Sequence, residues 1–442
     1  MPSLKSLALK GTLWTIIGYG ASQILRFGSN LILTRLLFPE IFGLMTLVYT
    51  FIVGLSLFSD IGINPGIIRS DRGDDPEFLN TAWTLQVLRS IVIWFCCLAI
   101  AFPAAQIYNE PQLRWLIPIV GFNVILAGFK STAVITLNRH LAIAKLTLVN
   151  LTLQIISIAV MVAWASFHPT IWALIVGNTV SSLLELFVSH RLIPGTKNTF
   201  AWDRSAVKEL LSFGTWVFIS TAMTFLASQS DRLILGKVLS IEMLGIYSIA
   251  FTLSEVPRQV VLAVSDRVIF PAISKLGDLP REAMLAKLEK PRFPVLIALA
   301  FGLAILTVFG DLLIRFLYDA RYDEAGWMLP ILALGIWPIV LTQSLDSCLF
   351  VIGKIRSVVV GTFLSFLVLA IGIPLGTRFW GPIGAVSAVA LSNVPPYIAI
   401  TFGLWRHRLA CLKQDLITTV LFVGFLALFV WGRSALGWGY PW

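Results

Sequence analysis

A chain of 442 residues is long enough for two or three soluble domains, but 57% of it is hydrophobic, only 13% is charged, and its mean hydropathy is +0.86. Water-facing domains carry about 25% charged residues, so the composition excludes a soluble globule and leaves lipid as the solvent. The net charge of +10 falls in short segments between apolar runs, which reads as a membrane-topology signal and not as a nucleic-acid surface.

Lys5 and Lys10 precede an apolar run over 13–37 that is too long for a signal-peptide core and is read as a first helix. A helix crossing the hydrocarbon needs about 20 residues. Apolar runs between Gly, Pro and charged breaks then predict spans at 13–36, 41–64, 81–106, 114–137, 144–167, 169–190, 210–232, 243–266, 292–317, 327–350, 356–378, 382–405 and 414–432. Twelve of these form the expected core and the thirteenth is an addition. Placing the N-terminus on the cytoplasmic side puts 21 Lys and Arg in cytoplasmic segments, eight in periplasmic segments and four within spans, the bias that topology follows. The longest hydrophilic stretches, 191–209 and 267–291, are then both cytoplasmic; the second, with Pro280-Arg281-Glu282 as a helix start, reads as a solvated linker.

The chain repeats itself at a shift of 202. Trp14 maps on Trp216, Arg35 on Lys237, Glu40 on Glu242 and Gly43 on Gly245. Six spans separate the copies, so both halves have one orientation and are parallel repeats about an axis along the membrane normal. The expected fold is an all-α integral membrane protein of two parallel six-helix bundles, 1–190 and 210–405, joined by a linker at 191–209 and followed by a C-terminal helix and tail at 406–442.

Ions inside spans are costly, so they carry the functional information. Arg26 lies about 13 residues into its span, near 20 Å from the end at about 1.5 Å per residue. It continues a polar stripe of Tyr19, Gln23, Arg26 and Asn30 at helical spacing. Arg89, Lys130 and Arg258 lie shallower, where snorkelling to the interface competes with a cavity role. Gln86 and Asn123 share their faces. Acidic groups recur in the stripes Ser248, Thr252, Glu255, Gln259 and Asn178, Ser182, Glu185, Ser189; Glu255 is placed to pair with Arg258. Asp60, Glu185 and Asp346 sit close to span ends and reach water, and Asp231-Arg232 reads as a surface cap. Pro257, Pro271, Pro294, Pro330, Pro338 and Pro374 permit kinks.

Catalysis has little to stand on. His140, His168, His190 and His407 are scattered, no nucleotide, hydrolase or zinc motif is present, and the cysteines Cys96, Cys97, Cys348 and Cys411 lack metal spacing. A transporter without cofactor is expected, driven by an ion gradient (H+ or Na+) or a partner.

The runs Lys10-Gly11-Thr12-Leu13-Trp14, Gln23-Ile24-Leu25-Arg26-Phe27, Thr34-Arg35-Leu36-Leu37-Phe38-Pro39-Glu40-Ile41-Phe42-Gly43 and Asp60-Ile61-Gly62-Ile63 together resemble the Wzx-like polysaccharide flippases of the multidrug/oligosaccharidyl-lipid/polysaccharide exporter superfamily. In the second half, Asp231-Arg232-Leu233-Ile234-Leu235-Gly236, Leu244-Gly245-Ile246-Tyr247 and Phe270-Pro271-Ala272-Ile273-Ser274 are similar to the same family. The resemblance covers most of 1–410. It implies two bundles around a cavity, alternating access, and a cargo of sugars on undecaprenyl pyrophosphate moved from the cytoplasmic to the periplasmic leaflet of the inner membrane, for O-antigen, capsule or exopolysaccharide synthesis. Arg26, Arg89, Lys130 and Arg258 would then receive the pyrophosphate, supported by Gln23, Asn30, Asp60, Glu185 and Glu255. A polysaccharide polymerase and a chain-length regulator would be partners. A lipid II flippase and an ion-coupled multidrug antiporter share the superfamily fold and stay as alternatives. A membrane-embedded polymerase or ligase would need large periplasmic loops, and none is predicted.

Overall fold

The computed structural model describes residues 4–140, 142–193, 198–212, 214–265, 281–343, 345–351, 354 and 356–439. The motif Phe270–Ser274, Pro280 and most of the 267–291 stretch lie outside the described residues. Within them the chain is helical, with no strand: α1 (Leu4–Leu36), α2 (Pro39–Phe58), α3 (Ile63–Arg69), α4 (Pro76–Tyr108), α5 (Leu113–Gly128), α6 (Ala133–Arg139), α7 (Ile143–Phe167), α8 (Trp172–Ser189), α9 (Arg204–Ser212), α10 (Gly214–Val238), α11 (Ile241–Ser254), α12 (Val256–Val264), α13 (Arg281–Leu317), α14 (Ala325–Gln343), α15 (Asp346–Val351), α16 (Arg356–Leu391), α17 (Val394–Arg406) and α18 (Leu412–Ala435).

Among the described residues, eight helical stretches are long and apolar enough to cross a membrane, nine when α5 and α6, bent by 60°, count as one span. One of the eight, 356–406, is 51 residues long. It contains a break at Gly381, whose φ of +61° suits a residue without a Cβ. The limbs on either side approach so closely that a Cβ on Gly376 or Gly384 would collide with the other's backbone. The thirteen expected spans are not each recovered among the described residues: 356–378 and 382–405 merge into that one stretch, 243–266 is interrupted at Glu255 between α11 and α12, and α10 carries Asp231 and Arg232. The packing shows the solvent. Phe167, Trp380 and Trp431 are 80%, 72% and 71% exposed, and large apolar faces left outside a protein mark contact with lipid. This is a multi-pass helical membrane protein.

The helix starts follow from local chemistry. Pro39 and Pro76 open α2 and α4 where a missing N–H costs nothing. Asp75 caps α4 by accepting the Glu77 N–H, and Ser240 caps α11 by accepting the Met243 N–H. Glu40 and Glu242, matched by the internal repeat, both lie in the first turn of their helices, where negative charge suits the helix dipole.

The chain falls into two compact units, 1–225 and 226–442, divided within α10. In the first unit α4 packs on α5, and α7 lies between α1 and α8. Ser22 and Gln154 join α1 to α7 through bonds of 2.7 and 3.1 Å. The stretch 198–212 is docked on this unit. The N–H groups of Thr199, Ala201 and Asp203 donate to Asn80, Thr84 and Thr81 of α4, each at 3.1 Å. Arg72 holds Asp203 at 2.9 Å, and Ala206 and Leu210 of α9 bury against Ile63, Ile67 and Phe78.

In the second unit α14 is central, with Ala333, Ile336, Trp337 and Val340 packed against Leu296, Ala300, Leu303 and Ala304 of α13 and Phe422 of α18. Arg292, at the start of the expected span 292–317, and Arg433, just past the end of the expected span 414–432, are 2% exposed and buried in this packing. Arg292 of α13 binds Asp415 of α18 at 2.6 Å, and Arg433 of α18 binds Asp311 of α13 at 2.6 Å. Start therefore meets start and end meets end, so the two helices run parallel. At about 1.5 Å per residue the pairs are about 28 Å apart, close to the roughly 30 Å of hydrocarbon. The C-terminal helix is thus pinned in register at both ends.

Removing one partner of a buried pair strands the other charge, at about 3–5 kcal/mol. Arg292→Ala and Arg433→Ala are each expected to lower the melting temperature of the purified protein in detergent, and the swap Arg292→Asp with Asp415→Arg to recover part of the loss. Outside the spans, two Ser205 hydrogen bonds and then Arg72 hold the Asp203 carboxyl down at about 2. A depressed carboxylate stabilises above its ordinary pKa near 4 and loses that contribution as pH falls toward 2. Exchange of the Asp203 amide, corrected for its intrinsic rate, is expected to accelerate only in that window.

Candidate functional site

A helix bent by 60° inside a membrane frees peptide groups that lipid does not satisfy. The break between α5 and α6, at 129–132, is supplied from two other elements, α4 and the C-terminal end of α8. The Gln86 amide of α4 donates to the carbonyls of Ala127, Gly128 and Lys130 at 3.2, 2.9 and 3.3 Å. Trp83 donates to the Phe129 carbonyl at 3.3 Å, and the His190 ring lies 3.0 Å from the same oxygen. Ser189 accepts the Ser131 N–H at 3.0 Å. Gly128 sits against Ser90 of α4 too closely for any side chain.

This break lines a cavity of about 680 Å³ walled by α2, α3, α4, α5, α6 and α8. Arg89, Lys130, Asp60 and Glu185, separated by up to 125 positions in sequence, all reach it. Lys130 pairs with Glu185 at 2.6 Å. Arg89 donates to the Ser56 carbonyl at 2.6 Å and to Ser59 Oγ at 3.2 Å, so it closes the C-terminal turn of α2, where cations are favoured. Asp60 accepts the Gly62 N–H at 3.0 Å, and Gly62 takes a φ of +71° to open α3. At the far end of α3, Arg139 of α6 collects the carbonyls of Ile67, Ile68 and Ser70. The cavity's two cations and two carboxylates balance. Its remaining polar wall is neutral: Tyr49, Asn64, Gln86, Asn123, Asn178, Ser181 and Ser182. The Asn123 side-chain amide oxygen (Oδ1) is buried with no hydrogen-bond partner among the described residues.

A second cavity, of about 190 Å³, lies in the second unit and is lined by Glu255 and Arg258 together with Gln229, Asp231, Arg232 and Asn393. The expected Glu255–Arg258 pair is present at 3.1 Å, and Arg258 also reaches Gln343 at 3.3 Å. Asp231 is not a surface cap. It is 5% exposed and accepts the Tyr247 hydroxyl at 2.7 Å, while Arg232 packs over the Phe251 ring. Only the tertiary fold brings Tyr247 to it, and the paired acid and base at a span end read as a cap in one dimension.

Gln23, Arg26 and Asn30 share α1 and line neither cavity. Arg26 is exposed, and its guanidinium makes no hydrogen bond or ion pair with any described residue. The other three intramembrane cations each hold a protein partner. Sequence reasoning placed Arg89, Lys130, Glu185 and Asp60 individually, and it noted Asn123, Asn178 and Gln86 only as companions on shared faces. The amide wall and the broken helix it surrounds were missed; Gly128 followed by Lys130 within an expected span was the available signal.

Gln86 is the stitch that makes the break tolerable. Gln86→Ala leaves carbonyls unpaired, at about 1–3 kcal/mol, and is expected to lower the melting temperature, whereas Ser182→Ala, at a hydroxyl without a hydrogen bond to any described residue, is expected to leave it unchanged.

With this geometry in place, the relatives can be compared. A family model described as polysaccharide biosynthesis protein matches residues 32–326. The amylovoran biosynthesis protein AmsL of Erwinia amylovora is 26% identical over 58% of this chain and 66% of its own length. The lipopolysaccharide biosynthesis protein WzxC of Escherichia coli K12 is 26% identical over 62% of this chain and 56% of its own. The matches thus span between about half and two thirds of these relatives. Among solved structures, the lipid II flippase MurJ superposes with a TM-score of 0.70 at 13% identity, over 95% of this chain and 99% of that one. A multidrug resistance MATE family transporter of the MOP superfamily gives 0.65 at 13% identity, over 89% and 96%. The chain therefore belongs to the polysaccharide biosynthesis protein family, and it shares its fold with the lipid II flippase MurJ and with a MATE family transporter.

Proposed function

We propose that the protein flips lipid-linked oligosaccharide, sugars carried on undecaprenyl pyrophosphate, from the cytoplasmic to the periplasmic leaflet of the bacterial inner membrane for O-antigen, capsule or exopolysaccharide synthesis. The observation that carries this reading is a polar cavity of about 680 Å³ among lipid-facing helices, in a chain of the polysaccharide biosynthesis family. Cargo with a polar head and an apolar tail needs a hydrated passage for the head while the tail stays in lipid. Nothing in that passage has to make or break a bond, so the protein acts as a carrier and not as an enzyme. The N-terminus lies on the cytoplasmic side, which follows from the Lys and Arg bias. The 191–209 linker joins two six-helix bundles that rock between access states, with H+ or Na+ as coupling ion and a polymerase and chain-length regulator acting on the delivered cargo.

The pyrophosphate meets Arg26 first. Arg89, Lys130 and Arg258 are held by protein partners in this state, whereas the Arg26 guanidinium has its donors available. Gln23 and Asn30 flank it on α1, while the other three cations stay with their partners, Lys130 with Glu185, Arg258 with Glu255 and Arg89 with the end of α2 beside Asp60, so that the pyrophosphate is met by the Arg26 guanidinium. A charge-assisted contact of this kind contributes about 1.5–3 kcal/mol, or roughly 10- to 100-fold in transport efficiency.

Arg26→Ala and Arg26→Glu are expected to reduce polysaccharide export by at least about tenfold in a flippase-deletion strain, with the glutamate variant worse, and Arg26→Lys to retain part of it. Surface polysaccharide is measured against equal membrane levels of protein. Wild-type export by both Arg26→Ala and Arg26→Glu would place the pyrophosphate elsewhere.

A further inference from the structure

We propose that the cavity of the first unit is the subsite for the sugar moiety of the cargo, a neutral polyhydroxylated ligand, and that it does not hold the pyrophosphate. This rests on the reading of the cargo as a lipid-linked oligosaccharide.

Every charged side chain in the cavity has a protein partner: Lys130 and Glu185 hold each other, Arg89 holds the end of α2, and Asp60 holds the Gly62 N–H. Asn64, Asn123, Ser181 and Ser182 make no side-chain hydrogen bond to any described residue, and Tyr49 and Asn178 bond only to one another. The Asn123 side-chain oxygen is buried without a partner, where such atoms are normally satisfied, and Asn64, Ser181 and Ser182, exposed or half-exposed, present unused donors and acceptors to the same volume, so the wall describes what an occupant would supply. Carboxamides offer donors and acceptors together, and hydroxyls do the same; sugar hydroxyls match both.

A pyrophosphate does not match. It would bring at least two negative charges to a wall that already contains the carboxylates of Asp60 and Glu185 and has no surplus cation. Burying such an anion without countercharge is unfavourable. Size and shape agree with a saccharide: about 680 Å³ lies within the roughly 300–1,000 Å³ of small-molecule sites, and Ile52, Ile93 and Val124 provide apolar wall for the C–H faces of a pyranose. The orphaned Asn123 Oδ1 and the Asn178–Tyr49 pair sit on different helices, α5, α8 and α2, so a bound ring would be gripped from three sides.

The test uses the full chain in lipid nanodiscs and measures binding of undecaprenyl pyrophosphate alone and of the same carrier bearing glucose, galactose or N-acetylglucosamine. At least one glycosylated carrier is expected to bind more tightly than the bare carrier. Asn123→Ala and Asn178→Ala are each expected to remove roughly fivefold of that gain, about one hydrogen bond, while binding of the bare carrier stays at the wild-type level and certifies the fold. Arg26→Ala is expected to weaken all four ligands alike. The subsite is overturned if no sugar improves binding, if the two asparagine variants keep the wild-type ratio, or if they weaken bare and glycosylated carrier equally. Failure of wild-type protein to bind any of the four carriers contradicts the cargo reading itself and, with it, the subsite.

Discussion

In hydrocarbon a peptide group finds its hydrogen bond within the protein or not at all. Most of this chain obeys the rule by staying helical. Where it does not, at 129–132, the surrounding helices carry side chains whose positions make sense only as substitutes for the lost helical bonds: Gln86 over three carbonyls, Trp83 and His190 on a fourth, and Ser189 on an N–H. The break then swings α6 away from α5 and leaves the volume that becomes the cavity. Arg139 fixes the other wall by gathering the open carbonyls of α3. The cavity is thus a consequence of satisfied backbone, and its polar lining comes from the same helices.

Charge obeys a parallel rule. Six cations of the membrane-spanning helices fall into three groups by what they hold. Arg292 and Arg433 are sealed against Asp415 and Asp311 and serve to dock α18 on α13 in register. Arg89, Lys130 and Arg258 border cavities but are engaged, so they shape the polar lining without leaving it net positive. Arg26 alone among the intramembrane cations has its guanidinium without a partner among the described residues. On the proposed reading, that distribution would separate two tasks within one cargo: an anionic group met by an available cation, and a neutral group met by amides and hydroxyls.

The lipid constraint also explains what the sequence disclosed. Spans expected at 81–106 and 144–167 appear as α4 at Pro76–Tyr108 and α7 at Ile143–Phe167, because apolar length is a local property. The pairing of Glu255 with Arg258 was legible for the same reason, three residues being one helical turn apart. Non-local pairings were not legible. Arg292 reads as a span-end cation until Asp415, 123 positions later, is known to reach it, and Asp231 reads as a cap until Tyr247 is folded against it. The 60° break lay inside a run that hydropathy treats as continuous, since side chains from α4 and α8, invisible to a local window, are what make it tolerable. The stretch 191–209, which composition marks only as a hydrophilic linker, turns out to be tied to α4 through three consecutive alternate amides.

The central claim is that this chain by itself carries the head group of a lipid-linked oligosaccharide across a bilayer. Reconstitution of the purified protein into liposomes loaded with undecaprenyl pyrophosphate-linked oligosaccharide, followed by the rate at which the sugar becomes accessible to a membrane-impermeant glycosidase, tests it most directly. The account predicts that accessibility rises well above that of protein-free liposomes when an H+ or Na+ gradient is imposed. A rate equal to the protein-free background under either gradient would contradict it.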